Sequence, residues 1–304
     1  EVPLIATGRL TNDVASCFLN GAAICALELD EGSKYARGHP SAHVLPAVFA
    51  LGSSGDHTGA EWLSAFLSGY EVSARFGRAT RLKAGVHPHG TWGSSGAAVA
   101  AGQLLGLNAD ALAGAIDAAS AQSLAPHFSS AFRGSFVRNL WVGQANVAGL
   151  ISAQLAKAGL AAVDGAPVDV FGEILGTLDV DVLDSGLGSY NEILHGYFKR
   201  HAACAYTHPP ADAVLQLRET ESFDINEIQE ITVETYQIAS TLSAYQWPTR
   251  LAAMFSIPYV VSYILREGSF GPRATDAACL RDPLIADLAR KVTVLATEEF
   301  ESRI

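Results

Sequence analysis

The residues best suited to chemistry in this 304-residue chain fall into four polar clusters. The first runs Asp30-Glu31-Gly32-Ser33-Lys34 and on through Arg37-Gly38-His39-Pro40-Ser41. Two carboxylates, two cations and an imidazole in so short a stretch can hold a general acid or base beside charges that fix a substrate carboxylate. The competing reading is a solvated loop in which Pro40 opens the next helix, a common place for proline. The second cluster is Gly85-Val86-His87-Pro88-His89-Gly90-Thr91-Trp92-Gly93-Ser94-Ser95-Gly96. Its glycines let backbone approach a ligand, and its imidazoles titrate near neutral pH. The helix start that follows offers free N–H groups to an anion, unless the stretch is simply a structural turn. His87 and His89 make half a metal site, but no acidic or thiol ligand lies near them in sequence, so no metal is expected.

The third cluster, Gly134 to Gln144, centres on Arg138, whose planar fork suits a carboxylate but which is also what an ordinary surface arginine looks like. The fourth gathers Lys199, Arg200, His201, Cys204, Tyr206 and Thr207-His208-Pro209. Cys204 is a conceivable nucleophile, yet no acyl-transfer signature surrounds it. A GxSxG elbow, a phosphate-binding GxxxxGK[ST] loop and a GxGxxG before a strand are all absent, which disfavours hydrolase, kinase and dehydrogenase.

The elements that must position these groups are helical through the first two thirds. Trp62, Leu63, Phe66, Leu67 and Tyr70 recur at helical spacing between Glu61 and Ala79. Asn108 caps a helix through Leu112 and Ile116, and Val147, Leu150, Ile151 and Leu155 mark another. Ala148, Gly149, Ala153 and Ala156 beside that stripe let helices approach closely. The texture changes near Asp179, where Asp181, Asp184, Gly186, Gly188 and Ser189 read as a connection. Beyond it, Ile231 to Tyr236 alternates like a half-buried strand, Val292-Thr293-Val294 reads as a second, and helices are expected around Pro210–Arg218 and Leu251–Leu265. The expectation is a mainly α chain: an all-helical domain over residues 1–190, incomplete at the termini, and a smaller α+β domain over 191–304.

Bulk properties narrow the partners. Hydrophobic residues make up 49% and charged residues 17%, the balance of a globular chain rather than a disordered one. A net charge of −11 with no block of basic residues argues against nucleic acid and against an anionic membrane surface. Cys17, Cys25, Cys204 and Cys279 have neither CxxC nor metal-type spacing, which fits reduced thiols in the cytoplasm. No apolar run is long enough to span a bilayer, and Glu1 reads as a processed, trimmed or partly recorded start.

Taken in order, these stretches resemble the MmgE/PrpD family. The likeness is carried by Leu19-Asn20-Gly21 with Ala26 to Gly32, by Gly38-His39-Pro40-Ser41, and by Gly69-Tyr70-Glu71-Val72 with Arg75-Phe76-Gly77. It continues through Gly85-Val86-His87 to Gly90-Thr91-Trp92-Gly93, Leu104-Leu105-Gly106-Leu107, Phe198-Lys199, Thr207-His208-Pro209 and Phe255 to Tyr259. The resemblance implies a large helical domain with a smaller α+β lid, a site between them, homodimers, and proton transfer beside a carboxylate of a small polycarboxylate without metal or organic cofactor. It assigns catalytic roles to Asp30, His87, Lys199 and His208, with His87 or His208 as base. It assigns substrate binding to Lys34, His39, Thr91 and Arg138. Arg138 stands where several members have lysine, and Trp141 where they have histidine. The first reading is a hydro-lyase similar to 2-methylcitrate dehydratase. An epimerase of iminodisuccinate type, a cis-aconitate decarboxylase type and a catalytically silent binding or dimerisation module are the alternatives.

Overall fold

The computed structural model describes residues 1–302. The chain divides into two units. The first comprises residues 1–26, 30–128 and 137–198, and the second comprises residues 27–29, 129–136 and 199–304.

The first unit is built around a helix that could not exist without small residues. α1 (Asp13–Ile24), α2 (Pro40–Ser54), α3 (Gly59–Ala79), α4 (Gly93–Leu104), α5 (Ala109–Ala121) and α6 (Val137–Lys157) form a bundle in which α4 packs against α2, α3, α5 and α6. The α4 sequence GSSGAAVAAGQL is buried at all but one of its twelve positions. A Cβ added at Gly96 would overlap the Gly69 carbonyl oxygen, so α3 and α4 touch backbone to backbone. Four of these helices start as their sequence dictates. Asn12 and Asn108 accept from the N–H groups of Ala15 and Ala111, and Thr58 with Glu61 closes a capping box on α3. Pro40 begins α2, as its fixed φ favours.

Two short antiparallel ribbons fasten the loops. β1 (Glu31–Ser33) pairs with β4 (Gly196–Phe198), Glu31 opposite Phe198, and β2 (Thr80–Leu82) pairs with β3 (Gly176–Leu178). The stretch after Asp179 is less of a plain connection than its composition suggests, because Val180–Asp184 forms one helical turn before the glycines.

The second unit carries the mixed structure. Ile231–Thr235 and Val292–Ala296 form β5 and β6, a parallel pair in register from Ile231↔Val292 to Thr235↔Ala296. Around them run α7 (His208–Thr220), α8 (Ile257–Glu267) and α9 (Pro283–Arg290), with α8 packed on both α7 and α9. The helix expected over Leu251–Leu265 is two helices. Arg250–Met254 ends at Phe255, and Ser256 caps a new start by accepting from the Tyr259 N–H, with Pro258 in its first turn. Proline supplies no N–H for a continuing helix, so the chain breaks where it stands. The mainly α class with a smaller α+β part matches the expectation from sequence. Among the described residues no helix is long and apolar enough to cross a membrane.

Candidate functional site

Inside the first unit, the segment from Asp30 into α2 and the loop before α4 bring six titratable side chains and one arginine together. His39 lies at the junction of β1 and α2, its Nδ1 2.6 Å from the Glu31 carbonyl oxygen and 3.1 Å from Asp30 Oδ2. Asp30 is buried, so an imidazole and a carboxylate face each other away from bulk water. The two neighbouring acids divide their work. Glu31 accepts from the Tyr70 hydroxyl at 2.6 Å and from the Ser41 N–H at 2.9 Å, bracing the start of α2. Burial still raises the Glu31 carboxyl above the usual range, against the lowering effect of those bonds.

The second loop is held in shape by its backbone. Gly85 and Gly90 take the left-handed φ values of +85° and +83° that suit glycine alone. The His87 N–H donates to the Pro126 carbonyl and the Leu124 N–H to the Gly90 carbonyl. The Thr91 hydroxyl donates to the Pro88 carbonyl at 2.6 Å, so Thr91 closes a turn. The N–H groups of Ser94 and Ser95 donate to the carbonyls of Thr91 and Trp92. That hydrogen bonding takes up donors the sequence had suggested for an anion.

Three imidazoles in this cluster are distinguished by what their nitrogens do. His43, one turn after His39 on α2, is fully buried. Its Nδ1 lies 2.9 Å from the His39 carbonyl oxygen, and its Nε2 accepts from the Gly90 N–H at 3.2 Å. It therefore bridges the two loops as a neutral ring with its proton on Nδ1. Burial, then the nearby positive groups, lowers it to about 4. His87 accepts from the His89 N–H on Nδ1 at 3.0 Å, which leaves its ring proton on Nε2. With Nδ1 accepting, the His87 ring can donate through Nε2; the family resemblance had offered this residue as one choice of base. His89 is completely buried, and neither of its ring nitrogens has a hydrogen-bond partner. Burial first, and the Arg138 charge next, hold it well below the ordinary histidine range.

The rings pack edge to face, His89 at 5.1 Å from His39, 5.4 Å from His43 and 4.5 Å from His87. Trp141 lies 5.5 Å from His87. Arg138, at the start of α6, is one of the largest fully buried side chains and is no surface arginine. One donor atom from each of Asp30, His39 and His89 lies within 4.8 Å of the other two. The carboxylate that the sequence could not place beside His89 arrives from the other loop.

The second unit holds its own polar set. Lys199 Nζ donates to Glu28 Oε2 at 3.0 Å, with both side chains out of solvent. Glu28 has the left-handed φ of +50°, unusual for a residue with a side chain, and that strain is held in place beside the ion pair. His208 donates from Nε2 to the Ala203 carbonyl, leaving Nδ1 as an acceptor. Burial, then the charges of His201 and Lys199, lowers it to about 4. His201, 5.0 Å from His208 ring to ring, lies 3.0 Å from Asp212 through Nε2.

Comparison with known proteins places this architecture. Residues 1–180 match the MmgE/PrpD N-terminal domain, and residues 201–304 match the MmgE/PrpD C-terminal domain. The chain belongs to the MmgE/PrpD family. Curated relatives include the cis-aconitate decarboxylase of Aspergillus terreus, 28% identical over 98% of this chain and 66% of its own length. The human cis-aconitate decarboxylase is 31% identical over 67% of this chain and 44% of its own, and the mouse enzyme 26% identical over 91% and 59%. The matches thus span between 44% and 66% of these curated relatives' own length.

Of the residues that the MmgE/PrpD resemblance singles out, Asp30, His39, His87 and Arg138 meet in the first unit, and Lys199 and His208 lie together in the second. Lys34 is exposed in the turn after β1, and Thr91 is spent on its own loop. Reading the sequence alone misses two organising residues. His43 is legible in principle as the partner of His39 four residues on, one turn along a helix face. Glu28 has no signal, because its partner lies 171 residues away.

Proposed function

We propose that this MmgE/PrpD chain is an acid–base lyase that transfers a proton at a carbon beside a carboxylate of a small polycarboxylate. The observation that carries the reading is a fully buried imidazole without hydrogen-bond partners, His89, set among an Asp30–His39 pair, an Nε2–H donor on His87 and the buried Arg138. Arg138 holds a substrate carboxylate and stabilises the negative charge that spreads onto it as the adjacent carbon loses or awaits a proton. His89 takes the proton, and His87 donates a hydrogen bond to the developing charge. Lys199 and His208 enter the reading through the family resemblance alone.

The names of the relatives favour decarboxylation of an unsaturated tricarboxylate as the outcome to test first. In that reaction the bond to the departing carboxylate breaks, its electrons shift across the double bond, and the far carbon takes a proton from a cluster imidazole, which regains it from water as CO2 leaves. Dehydration of a hydroxy-polycarboxylate remains the second reading. It needs one group to accept a proton and another to donate toward a leaving hydroxyl, and the His89 ring with the Nε2–H of His87 supplies that pairing.

Proton NMR in deuterated water with cis-aconitate, citrate, 2-methylcitrate and iminodisuccinate tests both. Deuterium entering beside a carboxylate, with loss of CO2 or water, names the reaction. A folded protein that exchanges and converts none of them overturns the lyase reading for this panel.

A further inference from the structure

We propose that Asp30, His39 and His89 also form a binding site for a single zinc ion, and that zinc seated there blocks the reaction. The blocking half rests on the proton-transfer function proposed above; the binding half does not.

The donor set points to zinc. Two imidazoles and one carboxylate suit a borderline divalent ion, whereas magnesium and calcium favour all-oxygen sites. Three protein ligands leave a fourth position for water or a substrate carboxylate, the arrangement of open zinc sites. The second observation is His89 itself. A polar ring with no exposed surface and no partner for either nitrogen loses the hydrogen bonds it would have in water. A ligand reached by a nitrogen of His89 removes that cost.

Distances set the scale of the change needed. Bonds of roughly 2.0–2.2 Å to a tetrahedral ion put the ligand atoms about 3.3 Å apart. The present donors lie within 4.8 Å of one another, so a shift on the order of 1.5 Å closes the site. His89 is the part best able to move, since no side-chain hydrogen bond fixes its ring, while its backbone N–H stays on His87. His39 is oriented by its Nδ1–H, which donates to the Glu31 carbonyl beside Asp30, so ligation through Nδ1 requires the ion to replace that hydrogen bond.

Two features limit affinity. The Glu31 carbonyl competes for His39 Nδ1, and the Arg138 guanidinium, whose charge is felt at His89, opposes a second cation. The site is therefore weaker than a structural zinc centre and suits reversible occupation. Zinc bound there takes up the lone pair His89 needs as a base and occupies the space in front of Asp30.

Isothermal titration of the purified chain with Zn²⁺, with Mg²⁺ as control, reads the binding. One Zn²⁺ and no Mg²⁺ per chain are expected, with affinity falling about 100-fold in His89→Gln and in Asp30→Asn, each checked for fold by circular dichroism. Zinc-edge X-ray absorption on the unaltered protein gives a readout that needs no variant, and nitrogen and oxygen ligands are expected. No binding, sulfur ligation by a cysteine, or affinity unchanged in both folded variants overturns the site. For the blocking half, stoichiometric Zn²⁺ abolishes turnover and EDTA restores it; full turnover with the ion bound overturns that half. Because binding is read without substrate, a failed lyase assay overturns the proposed function and leaves the zinc result standing.

Discussion

His43 shows how one side chain can make two loops behave as one. It ties the His39 carbonyl on one loop to the Gly90 N–H on the other, and both catalytic candidates flank those anchors. Replacing it by leucine leaves two buried backbone groups unpaired, each costing about 1–3 kcal/mol, so His43→Leu should lower the unfolding midpoint measurably and reduce kcat together with it. The tautomers make a sharper forecast. Glutamine keeps an N–H donor, so His87→Gln should retain more activity than His89→Gln. Loss of the His89 base should cost roughly 10²–10⁴ in kcat by steady-state kinetics. Equal losses would remove the distinction drawn between the two rings. Acid stability follows from the same residues. His43 is lowered from 6.5 to about 4 by burial, so below pH 6.5 the unfolded chain takes up a proton that the folded chain refuses. Stability from this source is present above pH 6.5 and lost as pH falls toward 4, a loss of about 3 kcal/mol for His43 and in the same sense for His208. Chemical denaturation between pH 7 and pH 4 checks it.

At the level of elements, the bundle depends on what its helices lack. Placing alanine for glycine in a helix interior ordinarily gains about 1 kcal/mol. At Gly96 the added Cβ overlaps both the Gly69 carbonyl oxygen and the Ser73 hydroxyl, and backbone cannot step aside without dragging α3. Overpacking of this kind costs on the order of 3 kcal/mol, so contact outweighs propensity and Gly96→Ala should destabilise, read as a fall in thermal midpoint. The same contrast explains which elements can be read from sequence. Asn108, Thr58 and Pro40 announce their helices through local chemistry, and the alternation of Ile231 to Thr235 announces its strand. The ribbons joining Glu31 to Phe198 and Thr80 to Leu178 leave no such trace, because three-residue strands carry no period and their partners are far away in sequence. The break at Ser256 is present as a serine two residues before a proline, a local signal outweighed by an unbroken apolar stripe.

For the molecule as a whole, the acidic chain keeps two of its cations inside. Arg138 and Lys199 are both buried, the latter against Glu28. Removing one partner of such a pair leaves a buried charge uncompensated, so Lys199→Met should cost about 3–5 kcal/mol. The double variant Lys199→Met with Glu28→Gln should recover much of that loss in denaturant titration. A double variant as unstable as the single one would mean that the lysine stem, rather than its charge, holds the unit together. The family resemblance is legible in the sequence because its motifs are short, ordered and spread along the chain. The junction of residues 27–29 and 129–136 with residues 199–304 is not, since nothing local in a tripeptide tells which body it will join. That arrangement also sets a clock. Glu28 leaves the ribosome 171 residues before Lys199, and at roughly 5–20 residues per second its carboxylate waits on the order of 10–30 s for its partner. The oldest part of the second unit thus waits for its partner, and the nascent chain carries Glu28 without Lys199 until 171 further residues have been made.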